Sequence, residues 1–379
     1  MGNQVTAFSK LKKFISNERF IVLAIFVLAL LVRIKFAWPA LNGAQGFIQG
    51  DDDDYFRLAI NFLQTGRLVD HTVAYRMPLF PMMLAVIYSI FGPVPHYAFP
   101  FLILLGALTA VGTYFLGRGV FSQAVGIVAG LLICFDINII HYNRVLMTET
   151  LFIFLTLLAM LALEQLSETK RWQWAFITGI LFGLAVLTRV NLVLFIPFLL
   201  IWIYLKVKAK DIRAVKIVSV VALLIGSLWL AWVGRNYLEL GEFIPFTTQA
   251  GRGYYGVYND IASNPTDKAY YGQWANLSLP DYSKDWNEVG LDKWQRRQAW
   301  AWIRKHPQQA IEISLMQIIH FWKPEYRGII RIKYYLLLFS SIVGLIWAIR
   351  RGYNSVVIWA VMFVALTITA VLTLGAPRF

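Results

Sequence analysis

Cysteine is almost absent from this chain of 379 residues: one, Cys134, stands inside an apolar run. A single thiol cannot close an intrachain disulfide and has no second thiol with which to share a metal. Disulfide scaffolds and cysteine-based metal sites are therefore excluded, and Cys134 is expected to be a packed core residue. Charge is scarce as well. Asp, Glu, Lys and Arg make up 15% of the residues against 58% for the apolar class, and the mean hydropathy is +0.59. Those values exclude an ordinary soluble domain and fit a chain built from spanning helices. Acids are scarcer than bases, 21 against 35, for a formal net charge of +14. In so apolar a chain the excess points to basic cytoplasmic loops, not to nucleic acid. There is no short-period repeat and no low-complexity segment. No small-residue cleavage site follows the first apolar run, so that run reads as a retained helix and not as a signal peptide.

What is abundant is long apolar sequence. Lys10, Lys12, Lys13 and Arg19 precede a first span at about Phe20–Trp38, which puts the N-terminus in the cytoplasm. Further spans are expected at about Tyr97–Leu116, Gln123–Ile140, Thr150–Leu166, Trp172–Leu187, Asn191–Leu205, Val215–Val233, Ile329–Ala348 and Val356–Leu374, nine in all. The run Pro78–Phe91 is too short to cross and reads as a juxtamembrane helix. On this layout Arg118, Lys170, Arg171, Lys206, Lys208, Lys210, Arg213, Arg350 and Arg351 all fall inside, as the positive-inside rule requires. The expected fold is thus an all-α polytopic membrane protein of about nine transmembrane helices. Residues 1–234 form an N-terminal transmembrane catalytic module with a first outer loop at 39–96, residues 235–328 a large outer loop, and residues 329–379 C-terminal transmembrane helices. Within the large loop, Leu291–Arg304 reads as an amphipathic helix, and Gln308–Trp322 is apolar enough to lie along a membrane.

The rare charges gather at one side. Asp51, Asp52, Asp53 and Asp54 stand in a row ahead of a helical pattern in which Tyr55, Leu58, Ala59, Phe62 and Leu63 share a face. Carboxylates at a helix start meet the positive end of its dipole. Arg33, Lys35, Asp136, Glu149, Arg189 and Arg235 fall at the outer ends of their spans, and Arg76, Arg144 and Arg252 lie in outer loops. Carboxylates facing guanidiniums above an uncharged membrane interior suit transfer of a sugar from a lipid phosphate. The acceptor needs a base, and the departing phosphate needs cations, for which the planar arginine fork is apt. Asp53 and Asp54 read as solvated or cation-attracting, and Asp136 as pairing locally with an Arg or shaping the site. The aromatic group Tyr254, Tyr255, Tyr258 and Trp274 either stacks on sugars or packs. Asn276-Leu277-Ser278 fits a glycosylation sequon.

These residues carry a resemblance. Gly50-Asp51 with Tyr55-Phe56-Arg57-Leu58-Ala59, then Arg76-Met77-Pro78-Leu79, resembles the first outer loop of the C-type (GT-C) membrane glycosyltransferases. The group most similar is that of the protein O-mannosyltransferases and the lipid A aminoarabinose transferase. Arg144 with Thr148-Glu149-Thr150 resembles the family's second outer acidic site, Gly179 through Thr188-Arg189 its glycine-bearing helix, and Arg235-Asn236 with Gly241-Glu242-Phe243-Ile244-Pro245 the start of its large loop. The resemblance implies that Asp51 is the acceptor-activating base, with Asp52 a second acid and Glu149 part of the catalytic group. It implies donor-phosphate contacts from Arg76, Arg144, Arg189 and Arg235. Tyr55, Arg252 and Tyr255 are expected to touch substrate. Some members use a divalent metal and others do not; here Asp51, Asp52 and Glu149 are the candidate ligands. Members usually continue past an Arg-Tyr or Arg-Phe element, so the ending Ala376-Pro377-Arg378-Phe379 leads to the expectation of a truncated or shortened chain.

The expected activity is therefore transfer, with inversion, of a hexosyl or pentosyl group from a polyprenyl-phosphate sugar donor to a lipid, protein or polysaccharide acceptor. It takes place at the outer face of the plasma (inner) membrane, among membrane lipids and without nucleic acid. The alternatives are a transporter or flippase, which needs a polar pathway near the midplane, and an inactive member that binds lipid-linked sugar. Single cysteines placed beside Asp51 and beside Glu149 in a Cys134→Ser background are expected to label from the same, non-cytoplasmic side. Labelling from opposite sides contradicts the layout.

Overall fold

The structure, a computed structural model, describes residues 17–44, 50–207, 212–266, 272, 274–275, 277–280, 286–323 and 329–373. Every regular element among them is a helix. The physical cause is direct: in hydrocarbon the backbone must satisfy its own N–H and C=O groups, and the helix does so within one segment. The α-helices are α1 (Glu18–Leu41), α2 (Gly50–Thr65), α3 (Leu79–Phe91), α4 (Phe99–Val120), α5 (Gln123–Cys134), α6 (Ile137–Tyr142), α7 (Glu149–Thr169), α8 (Trp172–Thr188), α9 (Ile196–Val207), α10 (Ile212–Leu240), α11 (Ala250–Val257), α12 (Glu288–Lys305), α13 (Pro307–Trp322), α14 (Ile329–Arg350) and α15 (Ser355–Thr373). Short 3₁₀ turns, Pro95–Ala98 and Val190–Phe195, lead into α4 and α9.

Among the described residues six helical stretches are long and apolar enough to cross a bilayer: Glu18–Leu41, Pro95–Val120, Glu149–Thr169, Val190–Val207, Ile212–Leu240 and Arg331–Arg350. The protein is a multi-pass membrane protein. The expected total of nine also counts Gln123–Cys134, Trp172–Thr188 and Ser355–Thr369, which are apolar but shorter. One span differs from expectation. The run Gln123–Ile140 breaks after Cys134, because Asp136 caps a new helix: its Oδ1 accepts from the backbone N–H groups of Asn138 and Ile139, both at 3.1 Å. A carboxylate at this position satisfies donors that a fresh helix leaves open. Asp136 is thus a cap.

The chain divides into two compact units that alternate along the sequence. The first holds Met1–Asp70, Pro78–Thr188 and Ser219–Ile225; the second holds His71–Met77, Arg189–Val218 and Gly226–Phe379. In the first, α1 packs on α4 and α5, α4 on α5 and α7, and α7 on α8. Small residues allow the approach: Ile21, Ile25 and Ala29 of α1 meet Ala107, Ala110 and Tyr114 of α4, with Cys134 at the end of α5 fully buried among them, as expected of a core thiol. In the second, α11 packs on α12, and α15 on α13 and on the Val190–Phe195 turn.

A charge lies inside the first unit. Arg33 is fully buried, and all three guanidinium nitrogens are engaged: Nε donates to Asn143 Oδ1 at 2.8 Å, Nη1 to Ala29 O at 3.2 Å and Nη2 to Ile133 O at 3.1 Å. Asn143, also fully buried, donates in turn to Leu102 O at 3.2 Å and Thr150 Oγ1 at 3.1 Å. Arg33 was expected at a helix end facing the outer rim; it instead locks α1, α4, α5 and the start of α7 together. Room for it comes from Gly106, where a Cβ would stand 2.3 Å from Asn143 Oδ1 and 2.6 Å from Arg33 Nε. Gly106→Ala is therefore expected to lower stability by about 1–3 kcal/mol through overpacking, and Asn143→Ala by at least as much, since it strips a buried charge of a partner. Thermal unfolding of the purified protein in detergent checks both.

Candidate functional site

In the first unit, the four aspartates occupy the opening turn of α2, which begins at Gly50; they do not precede the helix as expected. Their environments differ. Arg57, one turn on, holds Asp53 and bonds Asp54 Oδ1 at 2.7 Å and Asp70 Oδ2 at 2.9 Å. These i,i+3 and i,i+4 pairs follow from helical spacing, and the cation that Asp53 and Asp54 attract is Arg57. Asp52 is 1% exposed and Asp51 partly exposed. Tyr55 is buried and packs edge-on against Phe80 of α3, ring centroids 5.2 Å apart.

Glu149 is the first residue of α7 and is 1% exposed. The hydroxyl of Thr148 donates to its Oε2 at 3.3 Å. Arg144, partly exposed, precedes it in the short loop after α6. His141 joins this group, and sequence reading passed over it. Burial first, then the Arg144 guanidinium, push its imidazole below the ordinary histidine value, while Glu149 pulls the other way. A lone histidine at the end of an apolar run carries no spacing signal; only the fold brings it within the electrostatic influence of Arg144 and the buried Glu149.

In the second unit, Arg235, Arg252 and Arg76 meet at the segment His71–Met77. Arg235, at the end of α10, donates from Nη1 to Val73 O at 2.6 Å and lies over the Trp232 ring at 5.0 Å. Arg252, exposed on α11, donates to Tyr75 Oη at 2.9 Å. The Arg76 guanidinium lies 4.9 Å from the centroid of the Tyr75 ring. Glu288 at the start of α12 accepts from Val73 N at 2.8 Å and Ala74 N at 2.9 Å. Arg189 follows α8 in extended backbone, at the junction expected as a turn. The segment after α10 folds back because Gly241 adopts φ +68°, a conformation that favours glycine. The indole N–H groups of Trp229 and Trp232 then donate to Pro245 O and Phe246 O, each at 2.7 Å, and Asn236 donates to Ile244 O at 3.1 Å. Tyr258, Tyr254 and Trp274 form a small core with Val257, Ala299 and Ile313, so they pack. Tyr255 stands edge-on to Trp294, 5.2 Å away, beside a recess of about 410 Å³ lined by Trp286, Asn287, Gly290, Lys293, Trp294 and Arg297.

Residues 70–232 match the family model of the dolichyl-phosphate-mannose-protein mannosyltransferases. That stretch, under half of the chain, is what is similar to the family. The matched stretch holds Arg76, Arg144, Glu149 and Arg189 but begins after Asp51 and Asp52. No curated protein matches the chain. Among solved structures, one match is the Saccharomyces cerevisiae protein O-mannosyltransferase Pmt1-Pmt2 complex bound to the sugar donor, at 15% identity and a TM-score of 0.45, over 68% of this chain and 39% of that one. The chain thus spans about two fifths of the length of the protein it matches.

No three His, Cys, Asp or Glu among the described residues gather closely enough to hold a metal ion. Asp51, Asp52 and Glu149, the candidate ligands, do not form such a group; the first two sit on α2 and the third opens α7. Asn276 of the sequon, and Arg378 with Phe379, lie outside the described residues, as do Lys10, Lys12, Lys13, Lys208 and Lys210.

The depressed His141 gives a pH prediction. Its folded-state value lies below the unfolded one, so folding favours the neutral ring. That contribution is complete above the ordinary histidine range and is lost as pH falls below it. His141→Gln is expected to flatten the loss of thermal stability between neutral and mildly acidic pH; an unchanged profile removes His141 from it.

Proposed function

We propose that the protein is a membrane glycosyltransferase that moves a sugar from a polyprenyl-phosphate-linked donor to an acceptor hydroxyl or similar group at the outer face of the membrane. The match of residues 70–232 to the dolichyl-phosphate-mannose-protein mannosyltransferases supports a lipid-phosphate donor. The observation that supports the catalytic assignment is the place of Asp51, partly exposed at the very start of α2 beside the buried Asp52.

In this reading Asp51 takes the acceptor's proton. A carboxylate is a competent base when it is within hydrogen-bond reach of the hydroxyl, and partial exposure lets an acceptor approach. The α2 dipole favours its ionised form. Asp52, buried in the same turn, is the second acid. Glu149 serves as the second acidic site. Arg76, Arg144, Arg189 and Arg235 contact the donor phosphate, and Arg252 and Tyr255 the substrate. Displacement by one base on the face opposite the leaving phosphate inverts the anomeric centre. No metal is required by this assignment: guanidiniums stabilise the charge that develops on the departing phosphate.

Asp51→Asn is expected to lower turnover at least about 100-fold, the lower range for loss of a general base, with expression and thermal stability unchanged. The assay is mass analysis of products after incubation with polyprenyl-phosphate sugars and candidate lipid, peptide and glycan acceptors. Wild-type turnover in the variant removes Asp51 from the mechanism. Failure of the wild-type protein to release free polyprenyl phosphate from any donor overturns the reading.

A further inference from the structure

One face of α12 differs from the rest of that helix. Gly290, Lys293, Trp294 and Arg297 recur at the i, i+3, i+4, i+7 spacing that brings side chains to one side of a helix. With Trp286 and Asn287, just ahead of the helix, they line the recess of about 410 Å³. The Trp286 and Trp294 ring centroids lie 5.7 Å apart with their planes tilted by 57°, and Tyr255 braces Trp294 edge-on at 5.2 Å. Lys293 and Arg297 are exposed, while both tryptophans are partly buried. All of these residues belong to the second unit.

Packing accounts for the neighbouring aromatics but not for this face. Tyr254, Tyr258, Trp274 and Trp302 close on Val257, Ala299 and Ile313, whereas Trp286 and Trp294 bound open space. Gly290 lies in the first turn of α12 without a positive φ, so the position makes no use of glycine's conformational freedom. Glycine there costs the helix stability relative to alanine; what it provides is a floor with no side chain to fill the recess. The basic residues are not equivalent either. Lys293 is paired with Glu242, and Arg296 with Asp292 Oδ2 at 2.8 Å. Arg297 meets no carboxylate among the described residues and stands one turn from Lys293, a like-charge spacing that weakens a helix and that a bound anion relieves. Asn287 spends its Oδ1 on capping α12, accepting from Gly290 N at 2.8 Å, and retains its amide N–H groups as donors. Indole faces, a guanidinium fork and amide donors together recognise a ring with an apolar face, hydroxyls at its edge and a carboxylate. A purely apolar ligand would leave the cation unused, and a small inorganic anion would leave the indoles unused. The volume is at the lower end of small-ligand sites, which suits a short saccharide.

We propose that this recess binds an acidic sugar residue of the acceptor, with the pyranose face packed on Trp286 and Trp294 and its carboxylate held by Arg297. The proposal rests on the glycosyltransferase reading and deepens it, because it makes the acceptor a glycan that carries carboxylate groups. Stacking supplies affinity for any sugar ring, and Arg297 supplies the preference for the acid. The recess takes no part in bond making or breaking; it holds the acceptor, so its loss acts on binding and not on the chemical step.

The test uses the purified full chain in detergent and follows binding by saturation-transfer NMR. The probe is cellobiouronic acid, with cellobiose as its neutral counterpart and inorganic phosphate as a competitor. The wild-type protein is expected to bind the acidic disaccharide about ten-fold more tightly than the neutral one, the worth of one charge-assisted contact, and phosphate at equal concentration is expected not to displace it. Arg297→Gln, a change at an exposed position, should abolish the preference and leave cellobiose binding and thermal stability unchanged. Trp286→Leu should weaken both disaccharides alike, by about three- to ten-fold; if it does not fold, Arg297→Gln decides the matter. In the transfer assay Arg297→Gln should raise the KM for an acidic acceptor and leave kcat unchanged. Equal binding of the two disaccharides by the wild-type protein, displacement by phosphate, or a preference that survives Arg297→Gln overturns the proposal and leaves the glycosyltransferase reading standing. Selective binding of the acidic disaccharide by a protein that releases polyprenyl phosphate from no donor overturns that reading and with it the acceptor role, and the recess stands as a site for acidic sugars alone.

Discussion

A polar group removed from water has to find its partners in the protein, and in a chain with so few charges each solution to that demand is visible. Arg33 is the most severe case. Its burial among apolar helices is tolerable only because each guanidinium nitrogen meets an oxygen, and an ion left unbonded in such surroundings would cost several kcal/mol. Asn143 relays the demand to Leu102 and Thr150, and Gly106 leaves the space. This one residue binds four helices of the first unit, and Thr150, at the end of the relay, adjoins Glu149. The same constraint that builds the helices therefore fixes where α7 begins and where its buried acid stands.

Charges toward the acidic end of the first unit obey the same rule with less force, because they are nearer water. Arg57 draws three aspartates together in partly exposed pairs, each worth little alone but together closing the start of α2 against Asp70. Of the four consecutive aspartates only Asp52 is buried, a difference that composition does not show. In the second unit the currency is the backbone: Glu288, Arg235 and Thr248 bind the peptide groups of Val73 and Ala74, and Tyr75 and Arg76 are carried along.

Much of this was legible in the sequence. Period and run length placed α3, α4, α7, α8, α12 and α13 within a few residues, because an apolar run bounded by Gly, Pro or charge has one low-energy form in a membrane. Cys134 read as core and is core. The misreadings have a common origin. Gln123–Ile140 read as one span because apolarity is continuous there, while a single cap, Asp136, breaks it. Arg33 read as a rim residue because its partner Asn143 lies 110 positions away. His141, Glu288 and Tyr75 gave no signal, since none belongs to a spaced pattern.

Sequence alone determined that this chain is helical, membrane-embedded and crossed several times by apolar segments, for those properties follow from the local demand that each backbone group be bonded without water. It also determined which few residues had charge to offer. Only the tertiary structure decided which charges are locked into support, as Arg33 and Glu288 are. That choice depends on partners hundreds of positions apart, such as Glu288 and the Val73–Ala74 peptides, and bonds across such separations are set by how helices pack, a geometry that no local pattern encodes.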